Sequence, residues 1–152
     1  MPSVPSRRVS NSANILLVDD NRDGVEARRS VLQELGYTVV SAHCGLEALK
    51  TAAEQDFDLI ITDFKMEPMD GLELIAKLRE QKFENPIILL TGFAESLGLR
   101  AENTSANVVI QKSANEVSNL VRHTKRLLQP PRKPVRSQGP APKSTRTRSE
   151  GG

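Results

Sequence analysis

Four short apolar segments of this chain each run into a chemically capable side chain. Ile15-Leu16-Leu17-Val18 ends in Asp19 and Asp20, Leu59-Ile60-Ile61-Thr62 ends in Asp63, Ile87-Ile88-Leu89-Leu90 ends in Thr91, and Val108-Val109-Ile110 leads through Gln111 to Lys112. If these ends share one edge, three carboxylates crowd together, repel one another and resist ionisation. A divalent metal relieves that repulsion. A donor set of oxygens, without histidine or cysteine, points to a hard cation that keeps several waters, and so to Mg²⁺. Beside such an ion a free carboxylate can attack a phosphoryl group and hold it as an acyl phosphate. Lys112 is a flexible point charge suited to phosphoryl oxygens, and Thr91 offers a hydroxyl. The pattern therefore supports metal-assisted phosphoryl transfer to Asp63. Acids and lysines at strand ends are common singly; the joint pattern carries the reading.

The elements that would position these groups follow from the periodicity. The apolar runs at 15–18, 38–42, 58–62, 87–90 and 108–110 are too short for helices and rich in strand formers, as strands covered on both faces are. Between them the spacing predicts helices: Val25, Val31, Leu32 and Leu35 mark the first, with Gly36 as its stop. Leu46, Leu49 and Ala53 mark the second, and Leu72, Ile75 and Leu78 the third, which opens after the Pro68 and Asp70-Gly71 turn. Residues 94–106 have few apolar positions, so the fourth helix is expected to be short and weakly held. Val117, Leu120, Val121, Leu127 and Leu128 line the last helix, capped by Ser113 or Asn115. Strand and helix alternate five times, which predicts an α/β fold: a doubly wound, five-stranded parallel sheet with helices on both faces. Its strand ends share one edge, where open α/β sheets bind ligands.

Composition sets the boundaries. Hydrophobic residues make up 38% and aromatics 3%, so the core must be aliphatic. No apolar run approaches the roughly eighteen residues that cross a membrane, and Met-Pro-Ser-Val-Pro-Ser-Arg-Arg has no signal-peptide core. One cysteine, Cys44, excludes an internal disulfide, fits a reducing cytoplasm and reads as a small buried side chain. The net charge of +2 is uneven: Arg7 and Arg8 contribute two positive charges and residues 129–152 a further five, which leaves −5 on residues 15–128. Residues 1–13 and the Pro/Ser-rich 129–152 are expected to be disordered tails around a domain at 14–128. The basic tail lacks aromatics, so any nucleic-acid binding would be electrostatic and non-specific, and a solubilising linker is the simpler reading. His43 and His123 have no metal-ligand spacing and no assigned role.

Residues 14–128 resemble the receiver domain of two-component response regulators. The resemblance rests on Ile-Leu-Leu-Val-Asp-Asp-Asn at 15–21, on Asp63 followed by Met66 through Met69-Asp70-Gly71, on Leu-Thr-Gly at 90–92, and on Lys112. It implies a flavodoxin-like sheet of order 2-1-3-4-5 and a phosphoryl group received on Asp63 from a sensor histidine kinase or a histidine phosphotransfer protein. It further implies Mg²⁺ held by Asp19, Asp20, Asp63 and the backbone carbonyl of Lys65. Thr91 would swing to the phosphoryl group and Lys112 would pair with it.

Three positions depart from the family pattern. The proline of the loop after Asp63 stands one place later, in Met66-Glu67-Pro68. Ser113 follows the lysine where a proline is usual, so the usual kink is absent or made otherwise. Val109 stands where receivers place a tyrosine or phenylalanine that packs inward on activation. Lys65 and Phe93, two past the acceptor and the threonine, cannot orient an attacking water as a carboxylate or amide would, which predicts slow self-hydrolysis. Lys65 also stands where hydrolases with an aspartyl-phosphate intermediate carry a second acid, which disfavours that enzymatic reading. The expectation is a stand-alone receiver that signals by phosphorylation-dependent binding of a downstream protein or by phosphorelay, without turnover of an external substrate. The competing reading is a constitutive binding scaffold whose switch has decayed.

Overall fold

The computed structural model describes residues 13–92 and 98–129. β1 (Asn14–Val18), α1 (Arg22–Glu34), β2 (Thr38–Ala42), α2 (Gly45–Glu54), β3 (Leu59–Asp63), α3 (Gly71–Glu80), β4 (Ile87–Thr91), α4 (Ala101–Thr104), β5 (Val108–Gln111) and α5 (Glu116–Leu128) follow in that order. The strands form one parallel sheet ordered β2-β1-β3-β4-β5. The alternation read from the sequence is thus the observed one, in the expected flavodoxin-like order.

Two aliphatic layers explain why the strands read as unbroken apolar runs. Leu16, Val18, Ile60, Ile87 and Leu89 face one way and pack with Ala48, Leu74, Ile75 and Leu78 from α2 and α3. Their neighbours Ile15, Leu17, Leu59, Ile61, Ile88 and Leu90 face the other way, with Val25 and Leu32 of α1 and Leu120 of α5. Each fully buried Leu or Ile contributes about 1.5–3 kcal/mol over leaving it in water. The three middle strands, buried throughout β3 and β4, are the rigid floor beneath the site.

Helix ends follow from local chemistry. Asn21 caps α1, its side chain accepting from the amides of Asp23 (3.0 Å) and Gly24 (3.2 Å). Asp70 and Glu73 make a reciprocal capping box on α3, at 2.9 and 3.2 Å. At the last helix Asn115 occupies the cap position without a side-chain bond, and Ser113 makes the turn: its carbonyl accepts from the Glu116 amide and its hydroxyl oxygen from that of Asn115. Of the two expected cap residues, Asn115 thus holds the position and Ser113 accepts the hydrogen bonds of the turn before it.

Several sequence expectations are corrected. Leu46 is 65% exposed and Val117 47% exposed, and Ala53 is also on the outside. The buried stripes instead run through Ala48 in α2 and through Leu120 and Thr124 in α5. Contact with the sheet sets the phase, and Leu127 and Leu128 of the expected α5 stripe do pack against the core. Cys44 is partly exposed rather than buried: it sits at the N-cap of α2, its Sγ accepting from the Glu47 amide at 3.5 Å, while the Glu47 carboxylate accepts from the His43 amide at 2.8 Å. Of the thin segment at 94–106, the described part holds one helical turn, α4, which ends at Ser105 with φ of 63°. Phe93, all but residues 13 and 129 of the expected tails at 1–13 and 129–152, and the start of that segment lie outside the described residues.

Candidate functional site

The register of the sheet brings the expected groups to one edge. Val18 pairs with Ala42 on one side and Thr62 on the other, Asp63 pairs with Leu90, and Thr91 with Gln111. Asp19 therefore leaves β1 beside Asp63, its amide still bonded to the Ala42 carbonyl at 3.1 Å. The Lys112 amide continues the ladder past β5 by donating to the Thr91 carbonyl at 2.8 Å. Asp19, Asp63 and Thr91 are all buried, at 3%, 4% and 1% exposure. Asp20 and Lys65 are exposed.

Asp63 ends the central strand β3 and meets Lys112 directly: the ammonium lies against Oδ1 as an ion pair. That oxygen is buried and has no aligned hydrogen-bond donor among the described residues. Burial raises the Asp63 carboxyl above its ordinary range, Lys112 opposes this, the charge of Asp19 adds to the rise and Arg28 works against it. Lys112 keeps about a third of its side chain in solvent, so its charge remains hydrated from outside.

The chain returns over this strand end through Gly71. A Cβ there would lie 2.4 Å from the Asp63 carbonyl and 2.9 Å from Phe64 Cα, both backbone atoms that cannot move aside cheaply. The Gly71 amide uses the close approach to donate to the Phe64 carbonyl at 2.8 Å. The intervening loop includes Pro68, joined to Glu67 by a cis peptide bond.

One buried neighbour of the site escapes the sequence reading. Arg28 of α1 is buried and forms two ion pairs, Nη1 to Asp19 Oδ2 at 2.7 Å and Nε to Glu116 Oε2 at 2.6 Å. Burial disfavours its charge, but hydrogen bonds to Glu116 and Asp19 outweigh burial and hold the guanidinium above its ordinary range. Asp19 Oδ1 in turn accepts from the Asn21 amide at 3.0 Å. A signal existed: Arg28 stands between Val25 and Leu32 on the buried stripe of α1, at spacings of three and four.

The donor chemistry at this edge is oxygen-only and fits a hard cation, and Asp63 Oδ1 lacks a directed donor. No cluster of three acids, histidines or cysteines among the described residues is already drawn together around a cation position. Asp19 faces Arg28 and Asp20 faces solvent. His43 and His123 stay outside the site; the His123 ring lies 2.9 Å from an Arg126 nitrogen, and burial with the nearby arginine charges lowers its basicity.

The fold is a doubly wound parallel α/β domain with acids, a threonine and a lysine at one sheet edge, and comparison with known proteins gives the family. Residues 15–124 match the family described as the response regulator receiver domain, and the chain belongs to it. The chain is 40% identical over 89 residues to the alkaline phosphatase synthesis transcriptional regulatory protein PhoP of Bacillus subtilis, covering 56% of this chain and 37% of that protein. It is 42% identical over 83 residues to the sensor protein EvgS of Escherichia coli, covering 55% of this chain but 7% of that protein. The chain thus spans well under half the length of these relatives. Among solved structures it is similar to response regulator TrrA of Thermotoga maritima in complex with Mg²⁺-BeF (35% identity, TM-score 0.68, 76% of this chain and 98% of that one). It is also similar to the chemotaxis response regulator CheY4 of Vibrio cholerae (30% identity, TM-score 0.67, the same shares of each chain). No helix among the described residues is long and apolar enough to cross a membrane.

Proposed function

We propose that this receiver accepts a phosphoryl group on Asp63 from a histidine kinase or histidine phosphotransfer protein, and signals by binding a downstream protein or relaying the group onward. The observation that carries the proposal is the buried Asp63 carboxylate at the end of β3 with the Lys112 ammonium against it. In the reaction an Asp63 oxygen forms the new P–O bond while the P–N bond of the donor phosphohistidine breaks. The leaving imidazole keeps the electron pair and gains a proton from solvent. Lys112 shifts from the carboxylate to a phosphoryl oxygen as negative charge moves outward, and the Thr91 hydroxyl donates to another. Asp19, Asp20, Asp63 and the Lys65 carbonyl are the residues that would hold Mg²⁺. When bound, the ion neutralises charge on the phosphoryl oxygens and so eases approach of the carboxylate.

The neighbour crystallised with Mg²⁺-BeF supports this reading, as does the oxygen-only donor set. The domain acts on its own aspartate, and turnover of an external substrate is no part of the proposal. The test is intact-protein mass spectrometry after incubation with Mg²⁺ and acetyl phosphate, with Asp63→Asn in parallel. One added phosphoryl group, lost in the variant, is the expected result. No addition to folded protein favours the second reading, a constitutive scaffold, for which Val109 speaks: an aliphatic residue packed against the core replaces the mobile ring of the family pattern. Lys65 is exposed beside the site and brings no carboxylate or amide, which supports a long-lived acyl phosphate. A phosphate half-life of seconds, unchanged on Lys65→Asn, would sink that part.

A further inference from the structure

The Asp19–Arg28–Glu116 chain reaches from the site edge to the first turn of α5. Arg28 donates through separate nitrogens to two acids that lie on different elements. Its charge is permanent, because a guanidinium does not deprotonate in a protein. The surroundings are shaped for it: a Cβ at Gly24 would stand 3.1 Å from Asp19 Oδ2 and 3.2 Å from Arg28 Nη1, so the absent side chain leaves room for the pair. A buried carboxylate needs a cation or donors, and here Arg28 supplies both to Asp19. Any divalent cation approaching Asp19 Oδ2 meets a guanidinium already bonded to that oxygen.

We propose that Arg28 is a positioning residue that holds Asp19 and competes with the divalent cation for it, with Glu116 on α5 setting how tightly it holds. The inference rests on the metal-dependent reading of the site. Metal entry draws Asp19 away from Arg28 and leaves the guanidinium to Glu116. Conversely, loss of the Glu116 charge leaves Asp19 as the one ion-paired acid of Arg28 among the described residues and strengthens their pairing. By linkage, metal occupancy and the anchoring of the first turn of α5 are then coupled. Such a connection reaches the last helix without the aromatic ring that Val109 replaces.

The experiment is a Mn²⁺ titration of the full chain, followed by the electron paramagnetic resonance signal of the free ion, with circular dichroism to confirm folding. Arg28→Met removes the competing charge at similar length and is expected to tighten Mn²⁺ binding by roughly tenfold, within the usual range of coupling between sites. Glu116→Gln is expected to weaken it several-fold. In the double variant the Glu116 effect disappears, whereas a long-range charge effect of Glu116 would persist there. Wild-type binding with both single variants unchanged, or with both shifted the same way, overturns the inference and leaves the metal reading intact. No Mn²⁺ binding by wild type or Arg28→Met overturns the metal reading and this inference together. If Arg28→Met does not fold, Arg28→Gln takes its place in the same cycle: a Glu116→Gln loss that disappears beside Arg28→Gln supports competition, and one that persists there ends it.

Discussion

The Lys112 ammonium lies against Asp63 Oδ1 although Asp63 ends β3 and Lys112 follows β5, with β4 between the two strands. The sheet explains how. Asp63 pairs with Leu90, the next residue Thr91 pairs with Gln111, and the Lys112 amide then bonds to the Thr91 carbonyl. A side chain as long as lysine is needed to reach across the intervening strand, and its mobile stem keeps the charge partly hydrated.

Lys112→Met should therefore strike chemistry harder than folding. The variant loses the ion-pair partner of Asp63 and, with it, the cation proposed to meet the phosphoryl oxygens. With acetyl phosphate and Mg²⁺, the expected result is a drop in the phosphorylation rate of about a hundredfold, comparable to loss of a single preorganised charge-stabilising group. Urea denaturation should show a stability change within about 1 kcal/mol, since the lysine is a third exposed.

The raised Asp63 carboxyl makes a signed prediction for stability against pH. Its folded-state affinity for protons exceeds the unfolded value, because burial outweighs the help from Lys112. Between the two values the folded state binds more protons, so this group's contribution to stability falls as pH rises. The penalty is fully present above the folded value and absent below the ordinary carboxylate range. Asp63→Asn, which cannot ionise, should raise Tm at pH 7–8 in metal-free buffer. The advantage should shrink steadily as pH falls toward 4. Calorimetric scans of both proteins across that range check the sign; an advantage that grows on acidification would contradict it.

Much of this arrangement is legible in the sequence, for a physical reason. Strands buried on both faces must be apolar at every position, so Ile15–Val18, Leu59–Ile61 and Ile87–Leu90 stand out, and whatever ends them stands out too. Helices carry weaker information. Leu46 and Val117 fit a helical repeat yet face outward, because the phase of a short amphipathic helix is chosen by the sheet beneath it. Arg28 was hidden for a different reason: a charged residue on a helix is ordinarily solvated, and its partner Glu116 lies 88 residues away. Only the Val25–Arg28–Leu32 spacing hinted at burial, and the complementary gap at Gly24 is visible only in three dimensions.

Gly71, the first residue of α3, and Gly92, just past β4, flank the site and should respond differently to alanine. At Gly71 the added methyl meets backbone at 2.4 Å, whereas at Gly92 it meets no described atom within 4 Å. Gly71→Ala is expected to destabilise by roughly 2 kcal/mol or more, in the range of overpacking substitutions, and to slow phosphorylation by displacing the end of β3. Gly92→Ala should stay within about 1 kcal/mol of wild type. Parallel urea titrations decide it, and similar losses in the two variants would refute the close-approach argument.

At the opposite edge of the sheet, Arg79 offers a control in which stability and chemistry separate. Its guanidinium donates to the carbonyls of Phe83 (2.8 Å), Asn85 (2.9 Å) and Ser105 (3.1 and 3.3 Å), and to Asn107 Oδ1 (3.0 Å). It thereby ties the end of α3 to the loops that enter β4 and β5. Asn107 is itself part of the clip, since its Oδ1 also accepts from the Ile87 amide at 2.9 Å. A planar fork with five N–H donors can serve all these acceptors, and an ammonium cannot. Arg79→Lys is therefore expected to cost about 1–3 kcal/mol in urea denaturation despite retaining the charge. Arg79→Met should cost little more than that, because geometry rather than charge is what the lysine variant loses. Neither change reaches Asp63, Thr91 or Lys112, so the phosphorylation rate of the folded variants should match wild type. A rate that fell in step with stability would mean that the loops at this edge control the site from a distance.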